Sequence, residues 1–555
     1  MTQDLLKEAP VVTVDVQPHP EQPESEDTSQ ERFQMDSARR LTFGDLIREH
    51  RRSYPDQVAL VDGEVRLTWP QLDERTNRLA HALTDAGVGP GDRILWLGQN
   101  SFRIWELLGA AAKIGAMVCP GYWRWAAPEM AFAIKDFDPR VIVWQDAEIG
   151  DTVGKARAEI GDSRRALWLR HDAEGPGTYE SFLASGAPGD AAADVDPDSA
   201  LLVIYTAAIS GRQSGSMLSH RNLLAMGVSA AWMGDIGRET AFLGAGPMFH
   251  IGNYQFWGIP AFVHGGKNVI VRRVVAEELL PLLAAERCTH AYLMPPTIAR
   301  LVELNREAGH DLSHLRASVA APLWQGTVPT DISRFTRNGG GEGRGYGQTE
   351  VTGFAVTGAY GDSGLGNAGR PGPFAAVRIL DSAGQECEVG EICVRGDLVH
   401  LGYWNRPETN EQRFRFGWWH TTDLGRREAD GTISFLGTTT RMLKSAAENI
   451  FPAEVENCVE AHPAVREAAV IGVPNERWAQ DVKAVVVLHP DADPVTAEDL
   501  IEHCRARIAS YKKPKTVEFV DALPRTKDHA KDYDALDRRF GGGGYPGGEQ
   551  LGAGR

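Results

Sequence analysis

Apolar positions along most of this chain switch between a helical period and short continuous runs, and that alternation predicts its architecture. From Trp69 the residues Leu72, Leu79, Ala80 and Leu83 fall on one helical face, and Gly87 to Asp92 punctuate the pattern before the short run Arg93-Ile-Leu-Trp-Leu97. A second helix is predicted from about Phe102 to Ile114, followed by another apolar run at Ala116-Met-Val-Cys119. Ahead of both, Leu41-Thr-Phe-Gly-Asp-Leu-Ile47 opens a helical pattern, and Val58 to Thr68, with its Asp-Gly turn, reads as a hairpin. Strand-like runs recur at Val141-Ile-Val-Trp144, Ala200-Leu-Leu-Val-Ile204, Lys267-Asn-Val-Ile-Val271 and Ala291-Tyr-Leu-Met294. Strands alternating with helices predict an α/β fold with largely parallel sheets.

The rhythm then changes twice. Around Val377 to Gly384 and Gly390 to Gly396, short alternating strands with Gly turns predict a smaller β subdomain within the large N-terminal domain. From Leu443, a helix at Pro452 to Ala461, strands at Glu467 to Gly472 and Val482 to Leu488, a helix at Ala497 to Ile508 and a strand at Thr516 to Val520 predict an α+β C-terminal domain. Residues 1–38, rich in Pro, Glu, Gln, Ser and Asp, bury too little apolar surface to offset chain entropy and are expected to be disordered. The Gly-rich stretch 539–555 has the composition of a flexible linker.

Composition narrows the function classes. With 75 acidic against 58 basic residues and a net charge of -17, a dedicated nucleic-acid binder is disfavoured. The six cysteines lack zinc-site or disulfide spacing, so reduced thiols in a cytoplasmic setting are expected. No basic segment followed by an apolar stretch opens the chain, and no run approaches the length of a membrane span, so no integral membrane segment is expected. Monomer and homodimer both stay open.

Chemistry concentrates in Gly345-Tyr-Gly-Gln-Thr-Glu350, where an aromatic, a hydroxyl and a carboxylate suit a nucleobase, a phosphate and a magnesium ion. Alone, such a block reads as readily as an ordinary turn, and its context carries the case. Upstream, Ile204 to Asn222 runs from an apolar segment through a Ser/Gly loop toward a predicted helix, a strand–loop–helix arrangement suited to phosphate. Downstream come Leu401-Gly-Tyr-Trp-Asn-Arg-Pro-Glu408, Trp419-His-Thr-Thr-Asp-Leu-Gly425, Lys444-Ser-Ala-Ala-Glu-Asn-Ile450 and Leu523-Pro-Arg-Thr526.

In this order, over roughly residues 40 to 540, the segments resemble the adenylate-forming superfamily, which includes acyl- and aryl-CoA synthetases, luciferases and peptide-synthetase adenylation domains. The resemblance implies ATP, Mg²⁺ and coenzyme A, a large adenylation domain over 39–437, a hinge at 438–442 around Arg441, and a mobile C-terminal domain over 443–538. It implies that Tyr346 stacks on adenine with Gly347 and Gln348 beside it, that Thr349 contacts phosphate, and that Glu350 ligates Mg²⁺. Ala320, Ala321 and Pro322 would border the adenine, Asp423 would accept from the ribose hydroxyls, and Thr438 would take the place of a family arginine beside the ribose. Lys444 joins the nucleotide contacts, and His250 would line the acyl pocket near the thiol tunnel. Tyr254, Phe256 and Trp257 either wall that pocket or belong to the core.

This chain departs from the family pattern at three places. The phosphate loop reads Thr206-Ala-Ala-Ile-Ser-Gly-Arg-Gln-Ser-Gly215, retaining Thr206, Ser210 and Gly211 as phosphate contacts but placing Ser214 where a lysine is usual. Ala446 and Ala447 replace a Gly-Gly pair in the thiol-tunnel loop. Counting from Pro524, the catalytic-lysine position falls on Ala530, so Lys531 takes that role through a one-residue slip, with Lys527 as the alternative. The leading reading is an acyl-CoA synthetase for a fatty or bulky alicyclic or steroid-derived acid. An acyl-AMP ligase that loads a carrier protein, and a catalytically weakened binding relative, are the alternatives.

Overall fold

In the computed structural model the described residues are 38–544, apart from 162–165, 192, 207–212, 235, 316, 319–323, 325–344, 358–366, 439–440, 446–447 and 527–530. The expected disordered tail, except Ala38, therefore lies outside the described residues, as do the calls on Ser210, Gly211, Ala320, Ala321, Pro322, Ala446, Ala447, Lys527 and Ala530.

Local sequence sets the element boundaries. The helix Phe102–Ile114 begins where the Ser101 hydroxyl accepts from Arg103 N at 3.3 Å, and it ends at Gly115 with φ +74°, a conformation that suits glycine. Nearly every residue of this helix is buried, so it serves as core. The predicted hairpin forms from Val58–Asp62 and Val65–Thr68, and Thr68 then caps the helix Trp69–Asp85 in a reciprocal box with Gln71.

From Leu41 onward the strands assemble into four sheets. One six-stranded sheet orders Leu167–Arg170, Val141–Trp144, Arg93–Leu97, Met117–Pro120 and Ala200–Thr206 in parallel, closed by the antiparallel Ser214–Ser219. The second is parallel through Ala317–Ser318, His290–Ala291, Ala241–Gly244, Lys267–Ile270 and Val58–Asp62, with Val65–Thr68 antiparallel at its edge. Helices cover these sheets around a core in which Phe43 and Trp105 each stack on Phe262. Burying side chains of this size stabilises the fold by roughly 2–3 kcal/mol each.

An eight-stranded antiparallel sheet holds Gly345–Gln348, Gly353–Thr357, Asn367–Pro371, Ile433–Thr438, Trp418–Arg427, Val389–Arg395 and Ala376–Leu380, with Phe414–Arg415 beside it. This is the expected β subdomain. The fourth, five-stranded sheet belongs to the C-terminal segment and packs the helices Pro452–Glu460 and Ala497–Arg505 on its own apolar cluster. The parallel-sheet N-terminal region and separate α+β C-terminal region agree with the predicted fold class.

Two expectations are corrected. The segment after Ala200–Thr206 is not strand, loop, helix: Ser214–Ser219 returns as an antiparallel strand, and the helix His220–Gly234 starts only after it. The Ser/Gly-rich sequence Ser214-Gly-Ser-Met-Leu-Ser219 has no strand alternation and reads as loop, but at Gly215 a Cβ would press on Val203 and Tyr205 of the paired strand. Trp69, Trp96, Trp105, Trp324 and Trp419 are almost wholly buried and belong to the core. The helix Tyr533–Phe540 continues past 538, and Gly543 N donates to Gly472 O at 2.8 Å, so the chain stays docked through Gly544. Among the described residues no helix is long and apolar enough to cross a membrane.

Candidate active site

Glycine makes the central turn feasible. At Gly347 a side chain would strike the Gly353 carbonyl, because the strands Gly345–Gln348 and Gly353–Thr357 approach too closely for a Cβ. The tight pairing ends in the short 3₁₀ turn Thr349–Val351, which delivers Thr349 and Glu350 to a cavity of about 590 Å³. Cross-strand register brings Asp423 directly opposite Thr438 in the same sheet, and both line that cavity.

Four polar side chains of this sheet are wired together. The Tyr346 hydroxyl donates to Asp423 Oδ2 at 2.7 Å, Gln348 Nε2 donates to the same oxygen at 3.2 Å, and Trp419 Nε1 donates to Gln348 Oε1 at 3.2 Å. Burial pushes Asp423 up to about 6, against the pull of those donors. The Tyr346 ring stacks on Phe435 with centroids 5.8 Å apart. Burial also raises Glu350, whose Oε1 accepts from the Tyr403 hydroxyl at 2.8 Å and which has the Thr206 hydroxyl beside it.

Opposite this sheet, His250 caps a short helical turn, its Nδ1 accepting from Gly252 N at 3.0 Å. That bond assigns the neutral tautomer with its proton on Nε2. The ring is open to the cavity yet deep in the protein, and burial, with the Lys444 charge nearby, lowers it to about 4. It therefore stays uncharged at neutral pH. Lys444 itself bonds Asn449 Oδ1 at 2.6 Å and is lowered by burial.

The structure thus brings Thr206, His250, Tyr346, Gly347, Gln348, Thr349, Glu350, Asp423, Thr438 and Lys444 to one cavity. Lys531 is not among its lining residues; it pairs with Glu456 at 2.9 Å and Glu460 at 3.2 Å within its own C-terminal region. Of the two readings of the aromatic segment after His250, the core one holds for Tyr254 and Trp257. Tyr254 is wholly buried with its hydroxyl on Met248 O, and Trp257 packs with Phe242 and Ala261, so neither is a lining residue. A π-helical turn over Tyr254–Gly258 rotates Gln255 to the cavity instead.

Several lining residues carried no readable motif. Tyr122, Trp125, Tyr205, Phe249 and Phe435 form the aromatic walls, and Tyr511 and Lys512 reach in from the C-terminal region. Lys512 is buried between Glu454, at 2.6 Å, and Glu129, at 2.9 Å, acids that lie 58 and 383 positions away along the chain. Burial works against its charge, but the two carboxylates outweigh it and raise its affinity for the proton. Burial, with the neighbouring Glu454 carboxylate adding to it, keeps Glu129 above the usual carboxylate range despite the Lys512 ammonium. Among the described residues the one cluster of mixed metal-ligating types is Glu391, Cys393 and His420, against which Arg415 already places a guanidinium 3.4 Å from His420 Nδ1.

Comparison with known proteins decides the family. The model of the AMP-binding enzyme family matches residues 47–404, and that of the AMP-binding enzyme C-terminal domain matches 454–529. The chain belongs to the adenylate-forming AMP-binding enzymes. A feruloyl-CoA synthase from Amycolatopsis sp is 33% identical over 496 residues, covering 88% of this chain and 97% of that protein. A fatty acid–[acyl-carrier-protein] ligase from Streptomyces coeruleorubidus is 30% identical over 496 residues, covering 86% and 92%. Among solved structures, an amide bond synthetase from Marinactinospora thermotolerans superposes with a TM-score of 0.76 at 25% identity, covering 90% of this chain and 100% of that one. Like these AMP-binding enzymes, the chain carries the C-terminal domain and so has both parts of the family architecture.

Proposed function

We propose that the protein is an AMP-forming acid–thiol ligase, an acyl-CoA synthetase that activates a bulky apolar carboxylic acid with ATP and transfers the acyl group to the thiol of coenzyme A. The observation that carries this reading is the convergence of His250, Thr349, Glu350, Asp423, Thr438 and Lys444 on one cavity. In the first step a carboxylate oxygen bonds to the α-phosphorus of ATP and pyrophosphate leaves. In the second, the thiol sulfur bonds to the acyl carbon and AMP leaves.

The residues divide this work by chemistry. A carboxylate matches a diol, so Asp423, held by Tyr346 and Gln348, would orient the ribose, with Thr438 across from it. Mg²⁺ takes one or two carboxylates and otherwise phosphates and water, and Glu350 meets that demand as a buried acid fixed by Tyr403. When bound, the ion would draw charge from the phosphate oxygens. His250, uncharged and proton-bearing on Nε2, suits the acyl end of the cavity without repelling a thiolate or trapping a carboxylate. Thr206 and Thr349 would donate hydroxyls to phosphate.

Lys531 supports a two-arrangement reading. With Lys444, Glu448 and Lys512 of the C-terminal region on the cavity and Lys531 tied to Glu456 and Glu460, this arrangement suits the thiol step. Rotation of the C-terminal region about residues 438–442 would bring Lys531 in for adenylation. Arg441 is tied to Asp537 at 2.5 Å and stacks over Tyr533, so it would travel with that region. Aromatic walls at Tyr122, Trp125, Tyr205 and Phe249 favour a bulky apolar acid, fatty, alicyclic or steroid-derived.

A panel of such acids, incubated with ATP, Mg²⁺ and either CoA or a pantetheinylated carrier protein, tests the reading by mass spectrometry of thioester and AMP. Acyl-CoA with stoichiometric AMP is expected. Product on the carrier protein alone moves the assignment to the carrier-loading reading, which the relative in Streptomyces coeruleorubidus favours. No AMP with any acid refutes ligase activity.

A further inference from the structure

We infer that Glu391, outside the cavity lining, is a positioning residue that holds the ribose-binding carboxylate of Asp423 in place by clamping the backbone of Thr422. The inference rests on the proposed role of Asp423. Thr422 sits at φ +63°, in the left-handed region, with a β-branched side chain that the region disfavours. Left-handed backbone at a non-glycine residue persists only where its surroundings hold it.

Glu391 supplies that hold from the neighbouring strand Val389–Arg395. Its Oε1 accepts from Thr422 N at 2.7 Å, and its Oε2 meets His420 Nδ1 at 2.7 Å. The Thr422 hydroxyl donates to Thr421 O at 2.6 Å, and the Thr421 hydroxyl donates to Ile392 O at 2.7 Å while accepting from Asp423 N at 3.2 Å. The kink at Thr422 is therefore fastened to the strand behind it, immediately before Asp423, and both residues line the cavity. Burial opposes the charge on Glu391, yet His420 and the Thr422 N–H hold its carboxyl below the usual range. Arg415 lies 3.9 Å from its Oε2, so the acid is already charge-balanced and the cluster with Cys393 has no need of a metal ion.

Two roles of Glu391 can be told apart by a cycle with Thr422→Gly. Glycine adopts positive φ without a side-chain penalty, so it makes the clamp dispensable. A purely structural glutamate would be missed equally in either background. The readout is the Kd of AMP by calorimetry, with melting temperature recorded for every variant. Glu391→Ala is expected to weaken AMP about tenfold in the Thr422 chain and less than about threefold in the Thr422→Gly chain. Glu391→Gln, whose amide oxygen still accepts from Thr422 N, should stay within about threefold in both. If Glu391→Ala does not fold, Glu391→Asp, one methylene short of Thr422 N, replaces it in the same cycle.

Equal losses in the two backgrounds, or no loss in the folded alanine and aspartate variants, would overturn the clamp while leaving the nucleotide site standing. Failure of the unaltered protein to bind AMP would instead overturn the ribose reading, and this inference with it.

Discussion

Replacing Glu129 by Gln should divide the two half-reactions, because Glu129 is the N-terminal anchor of Lys512 in the arrangement described. Lys512 Nζ is shared by Glu129 and Glu454, and all three side chains are under a tenth exposed, so solvent screens the contact weakly. A hydrogen bond to a charged group contributes about 1.5–3 kcal/mol, roughly twice a neutral one. Glutamine keeps a neutral acceptor, so the change should cost this arrangement about 1–1.5 kcal/mol, a fivefold to tenfold shift in population. The fold itself should not suffer, since the substitution also removes a carboxylate that burial holds above its ordinary range. The assay is two separate rates: thioester formation from pre-made acyl adenylate, and acid-dependent ATP–pyrophosphate exchange. Thioester formation should fall about fivefold to tenfold with exchange unchanged or faster. Equal loss in both at an unchanged melting temperature, or no change in either, would refute the assignment of Glu129 as a tie for this arrangement.

Other outcomes follow from the cavity. AMP affinity should fall as pH drops through about 6, because the ribose diol donates to ionised Asp423, and Asp423→Asn should bind more weakly and lose that dependence in calorimetric titrations. The shift is upward, so the folded state holds the proton more tightly than the unfolded chain. Ionising Asp423 therefore costs stability as pH rises from its ordinary value of 3.8 to about 6, and Asp423→Asn should remove that slope from melting curves. Tyr403→Phe, which loses the 2.8 Å donor to Glu350, should raise the Mg²⁺ concentration needed for half-maximal exchange several-fold without changing the Kd of AMP. Lys531→Ala should slow exchange at least a hundredfold and spare thioester formation from acyl adenylate, whereas equal loss in both would return Lys531 to its ion pairs with Glu456 and Glu460.

How much the sequence disclosed depended on whether the signal was local. Periodicity located the helices Trp69–Asp85 and Phe102–Ile114 and the strands Arg93–Leu97 and Val141–Trp144, because burial on one face imprints directly on neighbouring residues. The strand Ser214–Ser219 was missed because serine and glycine read as loop where close strand pairing in fact demands small residues. The motif residues Tyr346 to Glu350, as a block, and Asp423, in its own segment, were legible, and one sheet with the 3₁₀ turn at its edge brings them to one cavity.

Lys512 could not have been found that way. Its place in a run of lysines suggests a solvated face, and only the fold brings Glu129 and Glu454 to it. Tyr254 and Trp257 show what residue type leaves open. Aromatic composition next to His250 suited a pocket wall and the core alike, and a π-helical turn, with Trp257 at φ +93°, carries both into the core and leaves Gln255 at the cavity. One irregular turn changes which side chains face a site, and residue type alone does not register it.

The proposed ligase stands on one step, the joining of a carboxylic acid to the α-phosphate of ATP in this cavity. Acid-dependent exchange of labelled pyrophosphate into ATP measures that step without CoA, a carrier protein or the thiol-step arrangement. Exchange should require a bulky apolar acid and Mg²⁺ and disappear in Glu350→Gln while that variant melts as the parent does. Exchange that persists undiminished in Glu350→Gln, or ATP binding with no exchange across the acid panel, would contradict it.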